Sequence, residues 1–123
     1  MDLKTDSTSW GNYINNAWNI TNANSKYAPE GLRWTSGAYG AKASNERILL
    51  STGASDDFCK QGIYDLAGNV YEWTLEKTSN SGRPCAVRGG DYVCPGKRYP
   101  AANRDYYGTT GYDGNFGFRV SLF

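Results

Sequence analysis

The apolar positions divide the chain into three kinds of segment. Between Thr8 and Asn19, Trp10, Ile14 and Trp18 recur every fourth residue, with Tyr13 and Ala17 beside them. That stripe predicts one short amphipathic helix, with Asp6 or Ser7 as its N-cap. Residues 20–62 lose all periodicity, and only Leu32-Arg33-Trp34 and Ile48-Leu49-Leu50 could each form a very short strand. Trp34, Tyr39 and Leu49 within this stretch predict a packed loop region. Order returns after Ile63. Asp65-Leu66-Ala67-Gly68-Asn69 reads as a turn, and Val70 to Glu76 then alternates strictly, with Tyr71, Trp73 and Leu75 on one face and Glu72, Thr74 and Glu76 on the other. A polar hairpin loop over 78–84 leads to a strand from Cys85 to about Val93. The doublet Gly89-Gly90 inside it predicts a bulge or close approach by another backbone. A last strand covers 116–122, with Phe116, Phe118, Val120 and Leu122 inward. The resulting class is α+β, a loop-rich antiparallel sheet with one or two short helices.

Composition narrows the function. The 123 residues make one small domain, and 13 basic against 12 acidic residues, without a basic run, give no footprint for nucleic acid. No apolar stretch reaches the length of a membrane span, and the N-terminus lacks the pattern of a signal peptide. For that reason the acceptor-like triplet Asn19-Ile20-Thr21 carries no weight. There is no histidine, which removes Ser-His-Asp and Cys-His nucleophiles and HExxH zinc sites. Cys59, Cys85 and Cys94 have no metal-ligand spacing; they read as reduced thiols, with a Cys59–Cys85 or Cys85–Cys94 bridge as the alternatives. The carboxylate pairs are Asp56-Asp57, Asp65 with Glu72, and Glu72 with Glu76, and a sequence cannot show whether any pair faces a cleft.

The stretch from Asp91 to Phe116 is different. It holds Tyr92, Tyr99, Tyr106, Tyr107 and Tyr112, half of the ten tyrosines, among Asp, Asn, Gly and Thr. Rigid rings among small polar residues are the composition of a binding surface. The competing reading has these rings filling a small core. Their lack of a two-residue period, and Gly108, Gly111 and Gly114 among them, favour an exposed surface.

Three motifs occur in order: Gly62-Ile63-Tyr64-Asp65-Leu66-Ala67-Gly68-Asn69-Val70-Tyr71-Glu72-Trp73, then Val87-Arg88-Gly89-Gly90-Asp91-Tyr92, then Gly117-Phe118-Arg119-Val120. Together they resemble the formylglycine-generating enzyme, or sulfatase-modifying factor, superfamily over roughly residues 47–123. More closely, the chain resembles the C-type lectin-fold variable proteins of diversity-generating retroelements. The resemblance implies a single C-type lectin-like domain over 1–123, the C-terminal part of a longer domain or protein. In the oxidase branch of the superfamily, Cys94 would fall at the first copper-binding cysteine, but the second position, five residues on, is Tyr99 here. One thiol cannot form the linear pair that copper(I) takes in that branch, so the expectation is no enzyme.

The retroelement branch implies a variable region between the second and third motifs, with Ala101-Ala102-Asn103-Arg104 as framework. Adenine-directed mutagenesis can yield Tyr, Asp, Gly, Thr, Ser, Asn or Phe at diversified codons but not Lys, Glu, Gln, Met or Trp; all twelve residues 105–116 obey that limit, while Lys97 does not and would be framework. The expected ligand-binding positions are Asp91, Tyr92, Tyr99, Asp105, Tyr106, Tyr107, Thr109, Thr110, Tyr112, Asp113 and Asn115. The expected partner is a protein or glycan on a target cell surface, with no nucleic acid and no membrane insertion, and the setting a phage particle or bacterial surface. A fixed-ligand or structural relative without a retroelement is the alternative. No cofactor is required, although the resemblance offers Asp65, Gly68, Val70 and Glu72 as a calcium set, hard oxygens suited to that ion. The competing reading of those positions is a structural turn in which Glu72 pairs with Arg119 or Arg88.

Overall fold

The computed structural model describes residues 3–110 and 113–119. Eleven short strands dominate it: β1 (Trp18–Ile20), β2 (Lys26–Pro29), β3 (Thr35–Ser36), β4 (Gly40–Lys42), β5 (Ile48–Leu50), β6 (Cys59–Lys60), β7 (Ile63–Tyr64), β8 (Tyr71–Lys77), β9 (Cys85–Arg88), β10 (Arg104–Tyr107) and β11 (Phe116–Phe118). Among the described residues there is no α-helix, only 3₁₀ turns at Thr8–Trp10 and Asp56–Phe58. Among the described residues, no helix is long and apolar enough to cross a membrane.

The predicted helix over 8–19 is the largest correction. Its apolar stripe is real, but the backbone is committed elsewhere. Gly11 is extended, and a Cβ there would lie 1.7 Å from the Ala67 carbonyl oxygen, so the chain runs hard against the 67–68 turn. Asn16 donates to the Thr8 and Gly11 carbonyls and accepts from the Tyr13 amide, closing a loop that replaces helical bonding. Ser7 does not cap; its hydroxyl accepts from the amide of Ala101, while Asp6 accepts from the Thr8 amide. Trp18 belongs to β1.

The main sheet has strand order β10-β9-β8-β11. β9 runs antiparallel to both of its neighbours, β8 and β10, as an antiparallel sheet predicts, but β11 pairs with β8 in parallel, Phe116 opposite Tyr71 and Phe118 opposite Trp73. Since β10 and β11 lie at opposite edges and point the same way, the connection from Tyr107 to Phe116 is a crossover and not a hairpin. The strand expected from Cys85 to Val93 ends at Arg88, because Gly89 and Gly90 turn the chain at φ +95° and +70°. The close approach predicted there is found: a Cβ on Gly90 would sit 2.7 Å from the Tyr99 carbonyl oxygen. The remaining strands form a β3-β2-β5 sheet and the pairs β1-β4 and β6-β7.

Burial is uneven. Ile20, Ile48, Leu50, Ala54 and Phe58 make one cluster, while Ala28, Leu49 and Tyr92 make another on the opposite face of β5. The strand predicted over β8 is found, but its alternation does not run the full length: the register against β9 shifts between Trp73 and Lys77, Tyr71 is buried and Leu75, predicted on the same face, is 107% exposed. Phe116 is half-buried and Phe118, predicted inward, is 78% exposed. Val120 and Leu122 lie outside the described residues. Trp34, expected to be packed, is 52% exposed.

Candidate functional site

The three motifs converge on the 65–72 turn. Gly68 has φ +69°, and a Cβ there would meet the Asn12 carbonyl oxygen at 2.5 Å. Asn69 is buried with both ends of its side chain engaged: Oδ1 accepts from the Leu50 amide and Asn12 Nδ2, and Nδ2 donates to the Leu50 carbonyl. This one side chain ties the N-terminal loop and β5 to the start of β8.

Of the calcium set, Asp65 Oδ2 accepts from the Gly53 amide, while Oδ1 is buried with no hydrogen-bond partner among the described residues. Burial holds the Asp65 carboxyl above the usual carboxylate range, against the opposing effects of the Gly53 amide and Arg119. The Gly68 carbonyl accepts from the Val70 amide. Glu72 is gripped by Arg119, with Nη2 2.5 Å and Nε 3.1 Å from Oε1. The same Nη2 donates to the Tyr64 and Asp65 carbonyls at 2.9 and 3.2 Å. The guanidinium thus occupies the Glu72 carboxylate, one of the four groups of the set, and with Glu72 so held the four do not converge as a ready calcium site, although Asp65 Oδ1 remains unpartnered among the described residues. Glu76 is likewise held by Arg88 at 2.9 Å and Arg104 at 2.6 Å. Glu72 and Glu76 are thus each held in an ion pair.

Burial corrects two of the expected surface positions. Asp91 is 2% exposed and Tyr92 4%. Asp91 accepts from the Val93 amide and, at 2.7 Å, from Asn115 Nδ2. Its carboxyl is raised above the usual range by burial. Beside it, burial and the Asp91 carboxylate push the Cys94 thiol up to about 12, and its sulfur lies 3.7 Å from the Tyr71 hydroxyl. All three cysteines are free.

The other tyrosines separate by strand face. Tyr107 lies on the face of Phe116, Tyr71 and Trp73, its ring 4.6 Å from Phe116 and 6.2 Å from Trp73, edge-on to both. Tyr99 is half-buried against Tyr71. Tyr106 points to the opposite face, is 40% exposed, and carries the Arg104 guanidinium 4.9 Å from its ring centre. Asp105 is half-buried, and Thr109, Thr110 and Asp113 are exposed. Tyr112 lies outside the described residues. The eleven positions therefore do not form one surface: Asp91, Tyr92, Tyr107 and Asn115 brace the scaffold, and Thr109, Thr110 and Asp113 project from the crossover between the braced points.

Gly114 and Phe116, at the end of that crossover, line a cleft of about 510 Å³ whose other walls include Lys26, Trp34, Leu49 and Val70. Sequence reading missed this cleft because its walls are far apart in the chain. The one sign of it in the sequence is Trp34 in a polar, aperiodic stretch, a pattern that equally predicts packing. A larger groove of about 870 Å³ lies among Asp6, Trp18, Asp56, Asp57 and Lys60, but none of its lining residues belongs to the three motifs or the tyrosine stretch.

Residues 4–122 match the family described as sulfatase-modifying factor enzyme 1-like domain. The chain belongs to that family, and the small, loop-rich, sheet-dominated architecture agrees with it. No curated protein and no solved structure matches the chain. The copper pair implied by the oxidase resemblance does not fit this site. The groups facing Cys94 are the Tyr71 hydroxyl and the Asp91 carboxylate, Tyr99 stands at the second cysteine position, and no soft partner for the thiol is found among the described residues.

Proposed function

We propose that this sulfatase-modifying-factor domain is a ligand-binding display module without catalytic activity, its contact surface built on the crossover between β10 and β11. The observation that carries this reading is the bracing of the crossover at both ends. Tyr107 is packed edge-on to Phe116 at one end, and Asn115 is hydrogen-bonded to buried Asp91 at the other, while Thr109, Thr110 and Asp113 face solvent between them. Such a segment exchanges side chains at little cost to the fold, since exposed positions seldom matter to folding. That is what a diversified surface requires. The contact set under this reading is Thr109, Thr110 and Asp113, extended by Tyr106 and Tyr112, and the partner is a protein or glycan on a target cell, reached from a phage particle or bacterial surface. Neither calcium nor copper is part of the reading.

A library randomised at 109, 110 and 113 tests it. Most members should keep the parent melting temperature to within a few degrees, and selection on immobilised bacterial surface glycans and proteins should return binders whose specificity follows those three residues. Widespread unfolding, or binding indifferent to all three positions, would overturn the proposal. The fixed-ligand alternative is favoured by the burial of Asp91 and Tyr92, which removes two positions from any exchangeable set; it predicts that selection returns only the parental residues.

A further inference from the structure

The cleft beside the crossover has a distinctive chemistry. Its size, about 510 Å³, lies within the range of roughly 300–1,000 Å³ typical of sites for small ligands. Trp34 and Phe116 give it two aromatic walls, and Leu49 and Val70 add aliphatic surface. Phe116 is rigid, stacked on Tyr71 and Trp73 with ring centres 5.8 and 5.2 Å away. Most of the polar side chains can donate, the Ser51 and Thr52 hydroxyls being able to accept as well. Lys26 is the one charged residue in the lining, and its ammonium has no hydrogen bond or ion pair among the described residues. The Trp34 indole N–H is equally without a partner there, and the Ser51 hydroxyl, which accepts from the Lys26 amide, keeps its own proton to give. The remaining amide, Asn69, has its oxygen taken by the Leu50 amide and Asn12 and offers no acceptor. A cleft with aromatic walls, one unpaired cation and spare donors is complementary to a planar apolar group that carries an anion.

We infer that this cleft binds the C-terminus of a peptide ending in an aromatic residue, the ring against Trp34 and Phe116 and the terminal carboxylate on Lys26. The assignment rests on the display-module reading in that Gly114 joins the cleft to Asp113 and the exposed crossover, where the preceding peptide residues would be read. It names the ligand class that the display-module reading leaves open.

Titration of the full chain with the pentapeptide Gly-Gly-Gly-Gly-Phe, followed by calorimetry and tryptophan fluorescence, tests the inference. Saturable binding is expected, with a change in Trp34 emission. The C-terminal amide of the same peptide should bind about tenfold more weakly, because the charge-assisted contact is lost. N-acetylphenylalanine should reproduce the dependence on the carboxylate if a free aromatic acid suffices, and should bind distinctly more weakly than the peptide if the chain is read as proposed. Lys26→Met, which keeps the apolar stem, should remove the preference for acid over amide while leaving the melting temperature in place. Trp34→Ala should abolish the fluorescence change and most of the affinity. Equal binding of acid and amide, no binding at millimolar peptide, or a Lys26→Met variant that still prefers the acid would each overturn the inference. Thr109→Ala, Thr110→Ala and Asp113→Ala separate the two readings. If the pentapeptide fails while library binders still depend on these residues, only the inference falls; if the pentapeptide binds and no ligand depends on them, the display reading falls.

Discussion

Arg119 and Glu72 are 47 residues apart in sequence, yet they meet with Nη2 2.5 Å from Oε1, and the same guanidinium nitrogen reaches the carbonyls of Tyr64 and Asp65. The contact joins the residue just beyond β11 to β8 and to the turn that precedes it. Both side chains are about a quarter to a third exposed, so solvent screening weakens the pair relative to a buried one.

Arg119→Met should therefore destabilise the domain by about 1–2 kcal/mol, most of it from carbonyls and a carboxylate left without their donor. Glu72→Gln should cost a similar or smaller amount, and the double variant less than the sum. Calcium should leave the wild-type melting temperature unchanged, because the guanidinium already neutralises Glu72. Scanning calorimetry with and without millimolar calcium checks both statements, and a wild-type shift with calcium would show that the ion displaces Arg119.

The tyrosines should divide on substitution as they divide in space. Tyr92→Ala removes a ring packed against Ala28 and Leu49 and should cost about 3–5 kcal/mol. Tyr107→Ala should fall somewhat lower, since that ring is only half-buried. Tyr106→Ala loses an exposed stack on Arg104 and should cost less than about 1 kcal/mol. Urea unfolding of the three variants measures the order, and a stable Tyr92→Ala would contradict the burial described for it.

Alkaline pH should unfold the domain through its phenols. Burial raises the pKa of Tyr13 and of Tyr71 above that of an exposed phenol, and nearby Cys94 adds to the shift in both. In the unfolded chain the same groups ionise near pH 10. A folded pKa raised above the unfolded one means that stability is fully present below about pH 10 and is lost as pH rises beyond it. Absorbance at 295 nm should show the exposed tyrosines titrating first and a delayed fraction appearing together with loss of the far-ultraviolet signal. A single smooth titration of all ten tyrosines in the folded protein would contradict the burial of these two.

What could be read from the chain depended on whether local pattern or distant contact decided each element. β8 was legible because alternation over seven residues is hard to mimic, and the Gly89-Gly90 doublet because close approach leaves few alternatives to glycine. The helix over 8–19 was misread because a stripe at Trp10, Ile14 and Trp18 cannot reveal that Gly11 lies against Ala67. Asp91 and Tyr92 looked like surface by composition; their burial follows from Asn115 and from Ala28 and Leu49, partners far away in sequence. The Asp65–Glu72 turn was legible as a motif, and the pairing of Glu72 with Arg119 was one of two partners the charges allowed. The cleft at Lys26, Trp34 and Phe116 has one local sign, a tryptophan in a polar stretch, and its walls come from segments far apart in the chain.

The parallel seam between β8 and β11 bears on the order in which the molecule assembles. β8, β9 and β10 can zip together as neighbours. β11, in contrast, must be carried past both intervening strands before Phe116 finds Tyr71, and closing so long a loop is slow relative to forming a hairpin. The crossover offered as the exchangeable surface is the tether for that step. Diversity there would be screened twice, once by the partner it must recognise and once by the speed at which it lets the sheet close.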